Sequence, residues 1–236
     1  MKIALVADLH GNMPAVEAVE AHIRDQGITT IYCLGDLVGK GPRSADTMDW
    51  AFANCEVILQ GNWDEAIWTH YFHEEWDAWY TNQLGAARIR KLQALPLEHR
   101  FMFAGRKVRL LHGRPIVSEA LDADDPIEQR MELFVTEDAY APDMVGFADV
   151  HRPFYQHMRS GILFNTGSVG NPLARQPQAS YVILDGEMGD AFGPILHTIV
   201  QLPYDREQAL RDAEAAEGMP MKEAFLSEIR TGVYSR

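Results

Sequence analysis

Leu59-Gln60-Gly61-Asn62-Trp63-Asp64-Glu65 is an apolar run that breaks into Gly-Asn, the pattern of a strand end followed by a turn. Two earlier stretches have the same shape. Met1 to Ala7 ends in Asp8-Leu9-His10-Gly11-Asn12, and Thr30 to Leu34 ends in Gly35-Asp36. Three times a buried-strand pattern delivers a carboxylate, an imidazole or an amide at its C-terminal end. Open α/β sheets build their sites at that edge.

The flanking segments supply the rest of such a sheet. Lys2 to Ala7 is continuously apolar, as expected of a strand covered on both faces. Pro14 to Gln26 has helical spacing, with Val16, Val19 and Ile23 on one face, and Gly27 ends it. Ile28 to Leu34 then completes a βαβ unit, whose crossover is expected to be right-handed. Gly39 to Pro42 is a loop, Ser44 to Asn54 a second helix and Val57 to Gln60 a third strand.

Residues 64–95 are rich in aromatics and helical in spacing. They read as a helical pair packed on the sheet, or as a segment that also lends a ring to a pocket wall. Phe101 to Phe103 and Val108 to Leu111 form a predicted hairpin that ends in His112-Gly113-Arg114-Pro115. Residues 115–142 are expected to hold an acidic loop and one helix near the site, with the acidic stretch at Glu119 to Asp138. Asp143 to Phe147 leads to Ala148-Asp149-Val150-His151-Arg152-Pro153-Phe154, a further strand end with a carboxylate and an imidazole. Gly161 to Phe164 leads into Asn165-Thr166-Gly167-Ser168-Val169-Gly170-Asn171-Pro172. Strands at Ser180 to Asp185 and Ile195 to Leu202 follow, then helices at Tyr204 to Ala216 and Met221 to Arg230.

Composition narrows the function classes. The 236 residues suit one domain, 1–236, and 47% hydrophobic with 23% charged residues is ordinary for a globular chain. A formal net charge of −13 argues against a nonspecific nucleic-acid surface, though bound divalent cations would still admit a phosphorylated substrate. Cys33 and Cys55 fall in apolar runs and read as buried thiols. With no signal-peptide pattern and no run long enough to span a membrane, a cytoplasmic location is expected.

The strand ends together offer Asp8, His10, Asp36, Asn62, His112, Asp149 and His151. Singly, an Asp there is as often a cap or turn residue, and a lone His such as His112 is more often a satisfied partner of backbone groups than a ligand. As a set they suit divalent ions of intermediate hardness, and seven donors fit two ions that share a carboxylate. Two such ions about 3.5–4 Å apart can hold a hydroxide and clamp an in-line displacement at phosphorus.

The order Asp8-x-His10, Gly35-Asp36, Gly61-Asn62-x-Asp64, His112 and His151 resembles the calcineurin-like binuclear metallophosphoesterases. It is most similar to their small bacterial and archaeal single-domain phosphodiesterase branch. Gly35 to Pro42, Asn165 to Pro172, Tyr204-Asp205 and Gly218-Met219-Pro220 extend the likeness along nearly the whole chain. The resemblance implies an α/β four-layer sandwich, two mixed β-sheets packed face to face and flanked by helices. It also implies a metal-dependent phosphoester hydrolase. Asp8, His10 and His151 would hold one ion, Asp36 would bridge, and Asn62, His112 and Asp149 would hold the second. Asp8, Asp36, Asn62 and His112 would carry the catalysis.

Two departures bear on the chemistry. The family's last motif usually reads Gly-His-x-His, where this chain has Ala148-Asp149-Val150-His151. An anion in place of a neutral donor hardens the second site, so Mn²⁺ is expected first, with Fe, Ni, Zn, Co and Mg as alternatives. Trp63 stands where many members carry a His that handles the leaving group. Its absence implies a preference for good leaving groups, since general acid help is worth ~10²–10⁴-fold. Asn12, Arg114 and Arg152 are candidates to bind the phosphate, each weighed against a turn or surface role. Phosphodiesters rank ahead of monoesters, and a metal-binding protein without turnover is the rival from another class. A small phosphorylated substrate is the expected partner, and the oligomeric state stays open.

Overall fold

The computed structural model describes residues 1–113, 124, 126–187, 189 and 193–235. Among the described residues, ten strands form two five-stranded sheets. The first holds β1 (Lys2–Val6), β2 (Thr30–Cys33), β3 (Val57–Ile58), β9 (Ala179–Gly186) and β10 (Ile195–Leu202), in the order β10-β9-β1-β2-β3. The second holds β4 (Glu98–Phe103), β5 (Arg106–Leu111), β6 (Met144–Phe147), β7 (Phe154–Met158) and β8 (Gly161–Asn165), in the order β4-β5-β6-β8-β7. Both are mixed. β1, β2 and β3 run parallel with β9 antiparallel to β1, while β5, β6 and β8 run parallel between antiparallel β4 and β7.

Strand periodicity separates the layers, because successive side chains point to opposite faces. From β1, Ile3 and Leu5 face inward with Leu110, Phe164, Val182 and Leu184, the apolar layer shared by the two sheets. Ala4 and Val6 face outward, against Val16, Val19 and Ile23 of α1 (Met13–Asp25) and Met48 and Ala51 of α2 (Ser44–Asn54). On the far side of the second sheet, Val145, Phe147 and Leu163 pack with Leu133 and Phe134. The described cover there is α5 (Ile127–Met131) and a 3₁₀ turn, Glu132–Phe134. These are the expected layers: two sheets face to face with helices outside.

The aromatic segment is a helical pair, α3 (Asn62–Trp68) and α4 (Glu74–Gln93), the latter broken at Gly85 (φ 70°, ψ 162°). Tyr80, Trp63, Trp68, Phe72 and Trp79 join the layer on the outer face of the first sheet, while Tyr71 points to solvent. α6 (Arg206–Ala215) and α7 (Lys222–Thr231) close the chain and pack on each other through Leu210, Ala213, Phe225, Leu226 and Ile229. Both cysteines are free thiols, Cys33 buried and Cys55 half-buried. Among the described residues no helix is long and apolar enough to cross a membrane.

Candidate metal centre

The C-terminal ends of parallel strands from both sheets converge on one point. β1 leads to Asp8 and His10, β2 to Asp36, β3 to Asn62, β5 to His112, and β6 to Asp149 and His151. The loops interlock through the backbone. Asp8 N–H donates to Gly35 O at 3.0 Å and His10 N–H to Asp36 O at 3.1 Å. Gly170 N–H donates to Asp8 O at 2.8 Å, and Ala148 N–H to His112 O at 2.6 Å.

The turn geometry is costly. Asp8, His10, Asp36, Asp149 and His151 all adopt left-handed backbone angles, with φ between 45° and 68°. Non-glycine residues pay on the order of 1–3 kcal/mol for such strain, which persists where the surroundings over-determine it and which clusters at functional sites. The strain bends each strand end so that alternate residues, 8 with 10 and 149 with 151, aim into a common space.

In that space one ligand atom from each of Asp8, His10, Asp36 and His151 lies within 4.8 Å of every other. Asp36 Oδ2 is 3.4 Å from both His10 Nε2 and His112 Nε2. Asp8 Oδ1 is 3.5 Å from His151 Nε2 and 3.9 Å from His10 Nε2 and His112 Nε2. His112 Nε2 is 3.8 Å from Asp149 Oδ1, which accepts a bond from Asn62 Nδ2 at 3.3 Å. All seven predicted ligands therefore meet. Asp36 stands between two overlapping groups, one with Asp8, His10 and His151, the other with Asn62, His112 and Asp149.

The donor set fits cations. Each imidazole directs Nδ1 at a backbone carbonyl: His10 at Val38 O (3.2 Å), His112 at Leu34 O (2.7 Å) and His151 at Asn171 O (2.6 Å). A carbonyl only accepts, so Nδ1 carries a hydrogen in all three rings, and in His10 and His151, which burial keeps neutral, Nε2 presents a bare lone pair. His10 Nε2 and His151 Nε2 then face each other at 3.2 Å. Asp8 is fully buried with both carboxylate oxygens lacking a hydrogen-bond partner, and His112 Nε2 lacks one too. In folded proteins most buried polar atoms find a partner. Lone pairs and anions converging without a donor are what a cation would repair.

Electrostatics point the same way. Burial, reinforced by Asp36 and Asp149, pushes the Asp8 carboxyl well above the usual range, and burial raises Asp149 too. Burial, with Lys40 nearby, holds His10 and His151 well below the ordinary imidazole value. Burial also disfavours charge on His112, but Asp36, Asp8 and Asp149 outweigh it and raise that ring.

The phosphate-binding candidates fare differently. Asn12 is buried as the cap of α1: Oδ1 accepts from Ala15 N–H at 3.3 Å and Nδ2 donates to Gly170 O at 2.7 Å. That is the turn role weighed against substrate binding, because its amide is committed to backbone groups. Arg152 is exposed beside His151, and Arg114 lies outside the described residues.

Several further residues support the candidate ligands. Asp64 accepts N–H bonds from Asp36 and Gly61 through Oδ2 and from Leu37 through Oδ1, at 2.8–3.0 Å. Burial and neighbouring Asp36 push its carboxyl up to about 7. Gly61 leaves room for Asp36, since a Cβ there would sit 2.1 Å from Asp36 Oδ1. Trp63 donates its backbone N–H to Asp36 Oδ1 at 2.8 Å, and its indole meets the His10 ring at 6.0 Å and 83°. Asp64 and Gly61 had a visible cue in Gly61-Asn62-x-Asp64, whereas the contacts that they and Trp63 make with Asp36 had none.

Residues 1–189 match the calcineurin-like phosphoesterase superfamily domain. The chain is 27% identical over 230 residues to an uncharacterised protein of Methanocaldococcus jannaschii, covering 88% of this chain and 89% of that one. It is 25% identical over 198 residues to phosphodiesterase YfcE of Escherichia coli, covering 80% and 89%. A metallophosphoesterase from Sphaerobacter thermophilus has the same fold, with a TM-score of 0.77, 24% identity and 99% of each chain covered.

Proposed function

Because the chain belongs to the calcineurin-like phosphoesterase superfamily and is a phosphoester hydrolase, we propose that it is a two-metal phosphodiesterase. Asp8, His10, Asp36 and His151 would hold one divalent ion; Asp36, Asn62, His112 and Asp149 would hold the other. When bound, the ions supply a lowered pKa for the attacking water and offset charge on the phosphoryl oxygens. The observation that carries this reading is the pair of bare Nε2 atoms, His10 and His151, facing each other beside the unsatisfied Asp8.

The protein's own groups then divide the work. The Nδ1–H bonds to Val38, Leu34 and Asn171 keep three imidazoles in the tautomer that offers Nε2. Asn62, exposed at the mouth, has an amide that can give its oxygen to a cation and its N–H to a phosphoryl oxygen. Trp63 offers no titrating proton, so the leaving group departs without general acid help from this position. That favours stable leaving groups.

The likeness to a protein named as a phosphodiesterase supports diesters. The carboxylate at 149 also supports Mn²⁺ as the preferred ion.

The test compares bis-p-nitrophenyl phosphate with p-nitrophenyl phosphate on chelated protein reloaded with Mn²⁺. Faster hydrolysis of the diester is expected, and faster hydrolysis of the monoester would reverse the substrate ranking. Metal-dependent thermal stabilisation with no hydrolysis of either ester would leave a binding protein in place of an enzyme.

A further inference from the structure

We propose that Glu228, on helix α7, is a positioning residue for the metal centre, acting on His151 through Asn171. This inference rests on the reading of His151 as a metal ligand. Glu228 lies beyond residues 1–189, the segment that matches the superfamily domain.

The connection is short and buried throughout. The backbone carbonyl of Asn171 accepts the Nδ1–H of His151 at 2.6 Å and so sets both the tautomer and the direction of that ring. The Asn171 side chain, fully buried, is held from two sides: Nδ2 donates to Glu228 Oε2 at 2.9 Å, and Oδ1 accepts from Lys40 Nζ at 2.9 Å. Lys40 Nζ is 3.7 Å from Glu228 Oε2, which closes a triangle of charge and amide. The same loop reaches the first ligand. Asn171 N–H donates to Ser168 Oγ at 2.9 Å, and Ser168 Oγ donates to Asp8 O at 3.0 Å.

Packing alone does not account for Glu228. Helix α7 is already anchored by Phe225, Leu226 and Ile229 against α6. Its C-terminal Gly232 (φ 67°) lies so close to Ala174 that a Cβ would stand 1.8 Å from the Ala174 carbonyl oxygen. A helix needing only to dock would do as well with an apolar residue, because burying a carboxylate and an ammonium together is costly even when they pair. Glu228 is 3% exposed and Lys40 8%, and such residues are almost never buried unless paired. Both oxygens of Glu228 are used, since Oε1 accepts from Ser235 N–H at 2.9 Å. What the arrangement fixes is the Asn171 loop, and with it the aim of His151 Nε2 at Asp8. Outer partners that orient a ligating imidazole are worth ~10–100-fold in metal affinity.

The test is titration calorimetry of Mn²⁺ into chelated full-length protein, with urea unfolding to verify each variant's fold. Glu228→Ala should weaken Mn²⁺ binding by ~10–100-fold. Glu228→Gln, which keeps the shape and one acceptor oxygen, should fall between the two. In an Asn171→Ala background the relay is already broken, so adding Glu228→Ala should cost little more. Should Glu228→Ala fail to fold, Glu228→Gln in both backgrounds carries the same comparison. Wild-type affinity in every folded variant, or losses that simply add across the two sites, would overturn the inference. A wild-type protein that binds no Mn²⁺ would overturn the metal-site reading instead.

Discussion

At the scale of single residues, protonation decides how the centre behaves. Asp8 and Asp149 keep their protons to higher pH than ordinary carboxyls because they are buried, and His112 keeps its proton because three carboxylates outweigh its burial. A cation that takes those lone pairs must displace the protons. His10 and His151, lowered by burial, have none to give near neutrality. Mn²⁺ binding should therefore release protons and tighten as pH rises. Calorimetry in buffers of different ionisation enthalpy measures this, and a proton count of zero would contradict it. Asp149 has a second consequence: Asp149→His should raise Zn²⁺ affinity relative to Mn²⁺, and an unchanged ratio would show that this carboxylate does not set the preference. The candidate ligands were legible in the sequence, because each lies in the short polar stretch that follows an apolar run. Asn12 was half legible: its turn-forming role follows from Gly11-Asn12, but nothing local shows that its amide reaches Gly170, 158 residues away. Lys40 and Asn171 lie in stretches that carry the family likeness, but their link to each other and to Glu228 left no local mark, being made only by tertiary contact.

At the scale of elements, the decisive feature is how tightly β3 and α3 meet the loop after β2. Gly61 has an ordinary φ of −95°, so space alone demands glycine there. Gly61→Ala should push Asp36 aside and cost ~10-fold or more in Mn²⁺ affinity while leaving the fold cooperative. Calorimetry paired with urea unfolding checks it, and wild-type affinity would mean that Asp36 can move without loss. β1 and β2 of the first sheet were readable because burial on both faces makes them almost continuously apolar. β7 was not: Phe154–Met158 is an edge strand, half-buried and exposed by turns, and Tyr-Gln-His carries little strand signal. The break in α4 at Gly85 was equally hidden, since an isolated glycine within helical spacing reads as tolerated. Of the aromatic rings, Trp63 touches the centre and most of the others pack outside the first sheet.

At the scale of the whole molecule, the sandwich exists to oppose two sets of strand ends. β1, β2 and β3 bring Asp8, His10, Asp36 and Asn62 from one sheet, while β5 and β6 bring His112, Asp149 and His151 from the other. The inward layer of Ile3, Leu5, Leu110, Phe164 and Val182 sets the spacing between them. The number of sheets was not readable from periodicity alone; family resemblance implied it, because pairing between distant strands such as β1 and β9 leaves no local mark. We propose that this opposition builds a place for two cations. The most direct measurement is an anomalous difference map from a Mn²⁺-soaked crystal. We predict two peaks, one among Asp8, His10, Asp36 and His151 and one among Asp36, Asn62, His112 and Asp149. No manganese at Asp36, or manganese bound only elsewhere on the surface, would contradict it.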